Sequence, residues 1–171
     1  PPRSTLFPYT TLFRSLERVQ NDIQPGDQGC EAVGTTCLRV ISGIGTPLLW
    51  WMACAALVAG IWWWLGRRDW RFAVPVLGVL AVWLPWFQFA ARPLFFFYAI
   101  VLLPFYVTGL AMALGKILGP AKHPKRRARA LVVGSAVGLV VLNFTFIYPI
   151  LTDGLLTRPE WLMRMWFGTW I

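Results

Sequence analysis

Charge is scarce in this chain. Asp, Glu, Lys and Arg make up 13% of its 171 residues, about half the share usual in a soluble domain. That excludes an ordinary water-soluble fold. Histidine occurs once, as His123, between Lys122 and Pro124. A metal centre needs several ligands, and none gather there, so His123 reads as a solvated loop residue. Three cysteines are too few for a disulfide scaffold. The seven acidic residues are Glu17, Asp22, Asp27, Glu31, Asp69, Asp153 and Glu160. None lies inside an apolar run, so no protected carboxylate pair offers a general base. The N-terminus also lacks a continuous apolar core followed by a small-residue cleavage site, so no signal peptide is expected.

What the sequence has in abundance is apolar and aromatic side chains. Hydrophobic residues reach 57%, with 11 Trp and 12 Phe. That density suits a membrane protein, whose interfacial belts use Trp and Tyr. The net charge is +9. The basic residues sit in short loops between apolar spans and form no continuous face, which argues against nucleic acid as a partner.

Residues Pro1 to Ser15 read PPRSTLFPYTTLFRS, with Thr-Leu-Phe at 5–7 and again at 11–13. The stretch has neither helical nor strand period. It resembles translated sequencing-adaptor sequence, and the natural reading frame is expected to extend further upstream.

Leu16 to Ser42 is polar, carries Pro25-Gly26-Asp27 and Gly29, and reads as a loop with turns. Four uncharged apolar runs follow, at 47–65, 72–91, 93–115 and 130–152. Each is near the roughly 20 residues that a helix needs to cross the hydrocarbon core. The runs show no period of two, so the expected fold is all-α, a polytopic bundle of about four transmembrane helices. Pro75, Pro85, Pro104 and Pro149 are expected to kink them. The chain thus divides into 1–15, an external loop 16–46, the four spans within 47–152, and an external interfacial tail 153–171.

Orientation follows from charge. The loop 66–71 holds Arg67, Arg68 and Arg71; the loop 116–129 holds Lys116, Lys122, Lys125, Arg126, Arg127 and Arg129. The loop between them offers only Arg92. The positive-inside rule places the two basic loops in the cytoplasm. The N-terminal loop, Arg92 and the C-terminal tail then face outward. Asp69 is expected to form a local ion pair among its neighbouring arginines. The 116–129 loop could attract anionic lipid, although setting the topology accounts for its charge by itself.

Four further positions stand out. Cys30 and Cys37 share the outward loop, where a disulfide is chemically permitted, though spacing alone does not fix its geometry. Cys54 lies mid-helix and reads as inert packing. Asn143, in the fourth run, could hydrogen-bond across helices. Arg92 sits at the outer membrane edge before Pro93-Leu94-Phe95-Phe96-Phe97-Tyr98. Its guanidinium fork matches phosphate oxygens, and the aromatic run could line a groove for a prenyl chain or a sugar. Taken alone, the residue reads first as an anchor that snorkels to the headgroups.

Several stretches, in order, resemble the C-terminal membrane region of bacterial protein O-mannosyltransferases, the actinobacterial type above all. They are Ile44-Gly45-Thr46-Pro47 with Trp50-Trp51; Arg68-Asp69-Trp70-Arg71; Trp83-Leu84-Pro85-Trp86; Arg92 through Tyr98; Asn143-Phe144 with Phe146 and Tyr148-Pro149; and Trp161 through Ile171, including Arg164-Met165-Trp166-Phe167. The resemblance covers roughly 29–171. It implies a glycosyltransferase family 39-like enzyme of GT-C architecture in the plasma membrane. Such enzymes transfer mannose from polyprenyl-phosphate mannose to Ser or Thr of exported proteins, with the secretion translocon a candidate partner. No cofactor is implied beyond that lipid-linked donor, which is a substrate. The family's catalytic acidic pair lies in a first external loop that this chain lacks, so the fragment is expected to be inactive alone. Arg92 becomes the candidate for the donor phosphate, with Tyr98 a weaker neighbour.

Two other readings stay open. A transporter half would place polar residues along a midplane pathway, and the runs here are nearly free of ionisable groups. A structural membrane protein would use its aromatic runs only for packing.

Overall fold

The structure, a computed structural model, describes residues 18–25, 30–31, 36–88 and 96–167. In chain order its elements are β1 (Arg18–Ile23), β2 (Cys37–Ile41), α1 (Pro47–Arg67), a 3-10 turn (Trp70–Phe72), α2 (Ala73–Trp83), α3 (Pro85–Gln88), a second 3-10 stretch (Phe96–Val101), α4 (Leu103–Leu118), α5 (Arg126–Leu151), β3 (Leu155–Thr157) and α6 (Arg158–Arg164). The fold is dominantly helical, as expected. The described residues form two compact units, one over 47–141 and one joining the stretch before 47 to 142–167.

In the first unit, α1 packs on α4 and α2, and α2 packs on α4. The buried face of α1 carries Ala53, Ala56, Leu57 and Gly60 at helical spacing; α4 answers with Gly109, Leu110 and Ala113. Small residues let backbones approach where lipid gives helices no hydrophobic incentive to pair. Gly78 of α2 is the extreme case. A Cβ there would lie 2.2 Å from Phe105 Cδ1 on α4, so only glycine fits. The outward faces are apolar: Val58, Trp62, Leu65, Val74 and Leu77 are all exposed. In water that surface would aggregate, and in lipid it is ordinary.

Among the described residues, three helical segments are long and apolar enough to cross a membrane: Pro47–Arg67, Ala99–Leu118 and Arg126–Leu151. The first, expected over 47–65, is a helix that extends to Arg67. Within the third run, Phe96–Val101 is 3-10 helix and the α-helix opens at Leu103, where Pro104 occupies the first turn and needs no N–H partner. The fourth helix starts at Arg126 rather than at 130, because its Arg-rich opening is itself helix-forming. The second run, 72–91, is interrupted. α2 spans 11 residues and ends at a turn at Leu84, after which Pro85 opens the four-residue α3. Pro85 lacks the N–H that a continuous helix would require there. At 1.5 Å per residue, α2 reaches only about 16 Å, half the hydrocarbon thickness. Residues 89–95, with Arg92, lie outside the described residues.

The second unit corrects the reading of the N-terminal segment as a plain loop. β1, β2 and β3 form an antiparallel three-stranded sheet in that order. Val19 pairs with Val40 across β1 and β2, and Leu38 pairs with Leu156 across β2 and β3. Leu38 and Val40 project to one face, where Ile147 and Ile150 of α5, Leu156, Trp161 and Met165 complete a core. The alternate residue Cys37 joins Ile23 and Cys30 in a small cluster on the other side of the strand. α5 runs into this unit and contains Pro149 near its end. Gly154 N–H donates to the Pro149 carbonyl at 2.8 Å. A Cβ at Gly154 would stand 2.9 Å from that oxygen, so the turn requires glycine.

Candidate functional site

Among the described residues, charged and aromatic side chains gather on the second unit. α6 opens with Thr157-Arg158-Pro159-Glu160, a capping box with proline in the first turn. The Glu160 carboxylate accepts the Thr157 backbone N–H at 2.9 Å and the Thr157 hydroxyl at 2.9 Å. Those two hydrogen bonds, aided by nearby Arg164, hold its pKa below the usual glutamate value. Glu160 is therefore an anionic cap, unsuited to holding a proton for general-acid chemistry.

One turn on, Arg164 is fixed from three directions. Its Nε donates to the Phe146 carbonyl at 2.8 Å, and Nη1 donates to the Glu160 carbonyl at 2.7 Å. Its guanidinium carbon stands 4.8 Å from the centre of the Phe146 ring. Beside Phe146 on α5, Phe144 and Tyr148 meet edge-on at 5.6 Å. Phe144, Phe146, Tyr148, Trp166 and Phe167 are all exposed. A guanidinium held against aromatic rings can meet a phosphate while the rings take a sugar face or a prenyl chain. Sequence reading singled out the aromatic motifs but missed the role of Arg164. The capping box followed by Arg four residues after Glu160 was the available signal.

Cys30 and Cys37 are joined as a disulfide with Cα atoms 5.9 Å apart. Both cysteines are buried. Two buried donors of this unit, Arg39 Nε and Trp161 Nε1, have no hydrogen-bond partner among the described residues. Asn143 is buried at 8% exposure, the one buried polar side chain among the described residues.

Arg92 lies outside the described residues. The backbone of Tyr98 is in the second 3-10 stretch, and its side chain is likewise outside the described part. Cys54, expected to pack inside, is instead exposed on α1. Asp69 pairs with Lys116 at 2.5 Å, not with its neighbouring arginines. His123 accepts the Lys125 backbone N–H at Nδ1. No group of three or more His, Cys, Asp or Glu gathers among the described residues.

Comparison with known proteins extends these observations. No family model and no solved structure matches the chain. Curated relatives do. A polyprenol-phosphate-mannose–protein mannosyltransferase of Mycobacterium tuberculosis is 40% identical over 144 residues, 83% of this chain and 27% of the relative. Its counterpart in Mycolicibacterium smegmatis is 38% identical over 144 residues, 83% of this chain and 28% of the relative. That of Corynebacterium glutamicum is 33% identical over 146 residues, 84% of this chain and 28% of the relative. The chain thus spans little more than a quarter of the length of the curated relatives it matches. Through most of its own length, it is similar to the polyprenol-phosphate-mannose–protein mannosyltransferases of actinobacteria.

Proposed function

We propose that this chain is part of a membrane mannosyltransferase that moves mannose from a polyprenyl-phosphate carrier to a Ser or Thr hydroxyl of exported proteins. The observation that carries the reading is the 40% identity to a curated mannosyltransferase over 83% of the chain. Within such an enzyme the chain supplies membrane helices and an outward sheet and helix, while the acid–base residues come from the rest of the protein. That division agrees with the carboxylates described above. Asp69 is ion-paired and Glu160 caps a helix.

On this reading the chain is a multi-pass plasma-membrane segment with its sheet, its α6 tail and Arg92 outside. Two observations support the sidedness. The Asp69–Lys116 pair joins the two basic loops at one end of the first unit. The Cys30–Cys37 bridge belongs in an oxidising compartment, which the cytoplasm is not. Arg92, with Tyr98 a weaker neighbour, is the candidate for the donor phosphate; Arg164 of the second unit is a separate candidate for an anionic or sugar contact. Exported polypeptides are the acceptors, and the secretion translocon is a candidate partner in delivering them.

A chimera tests the proposal. The matched segment of the Mycobacterium tuberculosis relative is exchanged for residues of this chain, and mannose transfer from polyprenyl-phosphate mannose to a Ser/Thr peptide is measured in membranes. Retained transfer is expected. A chimera that inserts and runs as a single species on size exclusion, yet transfers no mannose, overturns the reading. This chain expressed alone is expected to transfer none.

A further inference from the structure

We propose that the connection between α4 and α5 is a binding site for the headgroup of an anionic phospholipid. Within 122–129 the chain places Lys122, His123, Lys125, Arg126, Arg127 and Arg129. From Trp70 to Thr152 the sequence contains no Asp or Glu. The nearest acid before that stretch, Asp69, is already paired with Lys116. The cluster therefore carries several positive charges with no carboxylate of its own segment to balance them.

The connection is a built turn. His123 N–H donates to the Pro120 carbonyl at 3.1 Å, and Arg126 N–H donates to the His123 carbonyl at 3.0 Å. Lys125 N–H donates to His123 Nδ1 at 3.1 Å, which leaves Nε2 as that ring's N–H. Arg126 Nη1 donates to the Gly119 carbonyl at 2.9 Å, tying the turn back to the end of α4. Lys122, Lys125 and Arg127 remain exposed. An open cavity of about 560 Å³ is lined by Ala121, His123, Pro124, Arg126, Arg127 and Ala130.

What selects a lipid over a free anion is the surface beside the charges. Leu131 and Val132 follow directly on α5 and are 72% and 59% exposed. A phosphate held by the cationic turn would have its acyl chains run onto that apolar face, which begins one residue beyond the cavity wall. Anionic headgroups gain roughly 1 kcal/mol from each basic residue held near them. The site is independent of mannosyl transfer.

Native mass spectrometry of the detergent-solubilised full chain tests it, with phosphatidylglycerol and phosphatidylcholine added in equal amounts. Retention of phosphatidylglycerol is expected to exceed that of phosphatidylcholine by at least about tenfold. The triple variant Lys122→Gln, Lys125→Gln, Arg127→Gln should bring the two lipids near parity. The variant Arg67→Gln, Arg68→Gln, Arg71→Gln removes the same charge from the other basic loop and should keep most of the preference. Melting curves of both variants check that each is folded. Equal retention of the two lipids by the unaltered chain overturns the proposal, as does equal loss in both variants, which would mean a diffuse effect of net charge. Displacement of the lipid by inorganic phosphate or a DNA oligonucleotide at millimolar concentration would also overturn it, since either would show a general anion site.

Discussion

Asp69, just beyond α1, is ion-paired with Lys116 in the last turn of α4. The two residues are far apart in sequence, and each belongs to one of the two basic loops. The same ammonium stands 5.9 Å from the centre of the buried Phe72 ring. The pair thus ties the end of α1, the 3-10 turn and the end of α4 at one edge of the first unit. The Lys116 hydrogen bond is the largest cause of a lowered Asp69 pKa. A carboxyl whose folded pKa is depressed stabilises the fold above its unfolded value, near 3.9. That contribution is lost as pH falls through the lower folded value. In detergent, Asp69→Asn should lower the Tm at pH 7 by no more than a few degrees, because exposed pairs contribute little. The difference between variant and unaltered chain should vanish as the pH is taken well below the carboxylate range. A gap that is constant with pH would show that packing, rather than charge, is responsible.

Gly78 and Phe105 give a second expectation, set by shape. Gly78→Ala forces a Cβ into the Phe105 ring, so α2 and α4 must separate or the ring must turn. Overpacking of this kind costs about 1–3 kcal/mol. Phe105→Leu in the same chain should recover much of the loss. Additive losses in the double variant, read from thermal melts, would mean that the two residues do not share the contact.

How much of this was legible in the sequence depends on the range of the signal. Long uncharged runs are a local property, and each of α1, α4 and α5 falls on one, although α4 opens only at Leu103, ten residues into its run. The break at Leu84-Pro85 was readable as a proline but not as a full interruption, since a membrane bundle can absorb a kink. The sheet was not legible. Cys37-Leu38-Arg39-Val40-Ile41 alternates over only five residues, and its partner β3 is a three-residue strand more than a hundred positions later. The Arg164–Phe146 contact was hidden for the same reason, because it joins two elements through a backbone carbonyl. The partner of Asp69 was misjudged because three adjacent arginines outweighed one distant lysine in a reading by proximity.

The disulfide makes a chemical prediction. In the unreduced, SDS-denatured chain only Cys54 should react with a maleimide, and after reduction all three cysteines should. Mass spectrometry counts the adducts directly. Replacing Cys30 and Cys37 by serine should cost roughly 2 kcal/mol of stability, from the chain entropy of a short closed loop. Three adducts before reduction would remove the bridge, and with it one support for placing this loop outside.

Arg164 should resist conservative exchange. Its Nε and Nη1 reach two different carbonyls while its plane faces the Phe146 ring. Lysine has one nitrogen and no plane, so it cannot keep all three contacts. Arg164→Lys and Arg164→Ala should therefore destabilise the protein by similar amounts, about 1–3 kcal/mol. A lysine variant that melts with the unaltered chain would show that charge alone suffices at this position.

Arg92 offers the most direct probe of the proposed donor site, and it is best measured in a complete, active enzyme. If its guanidinium meets the donor phosphate, Arg92→Ala should raise KM for polyprenyl-phosphate mannose about tenfold or more, the cost of one charge-assisted contact. KM for the acceptor peptide should stay nearly constant. Arg92→Lys keeps the charge but loses the fork, so it should fall between the two. Tyr98→Phe should have the smaller effect, in keeping with its weaker candidacy. An interfacial anchor behaves differently. Its removal lowers the yield of inserted protein and leaves the donor KM of the surviving enzyme unchanged, and lysine replaces it fully. The split between donor KM and insertion yield therefore decides which role Arg92 plays.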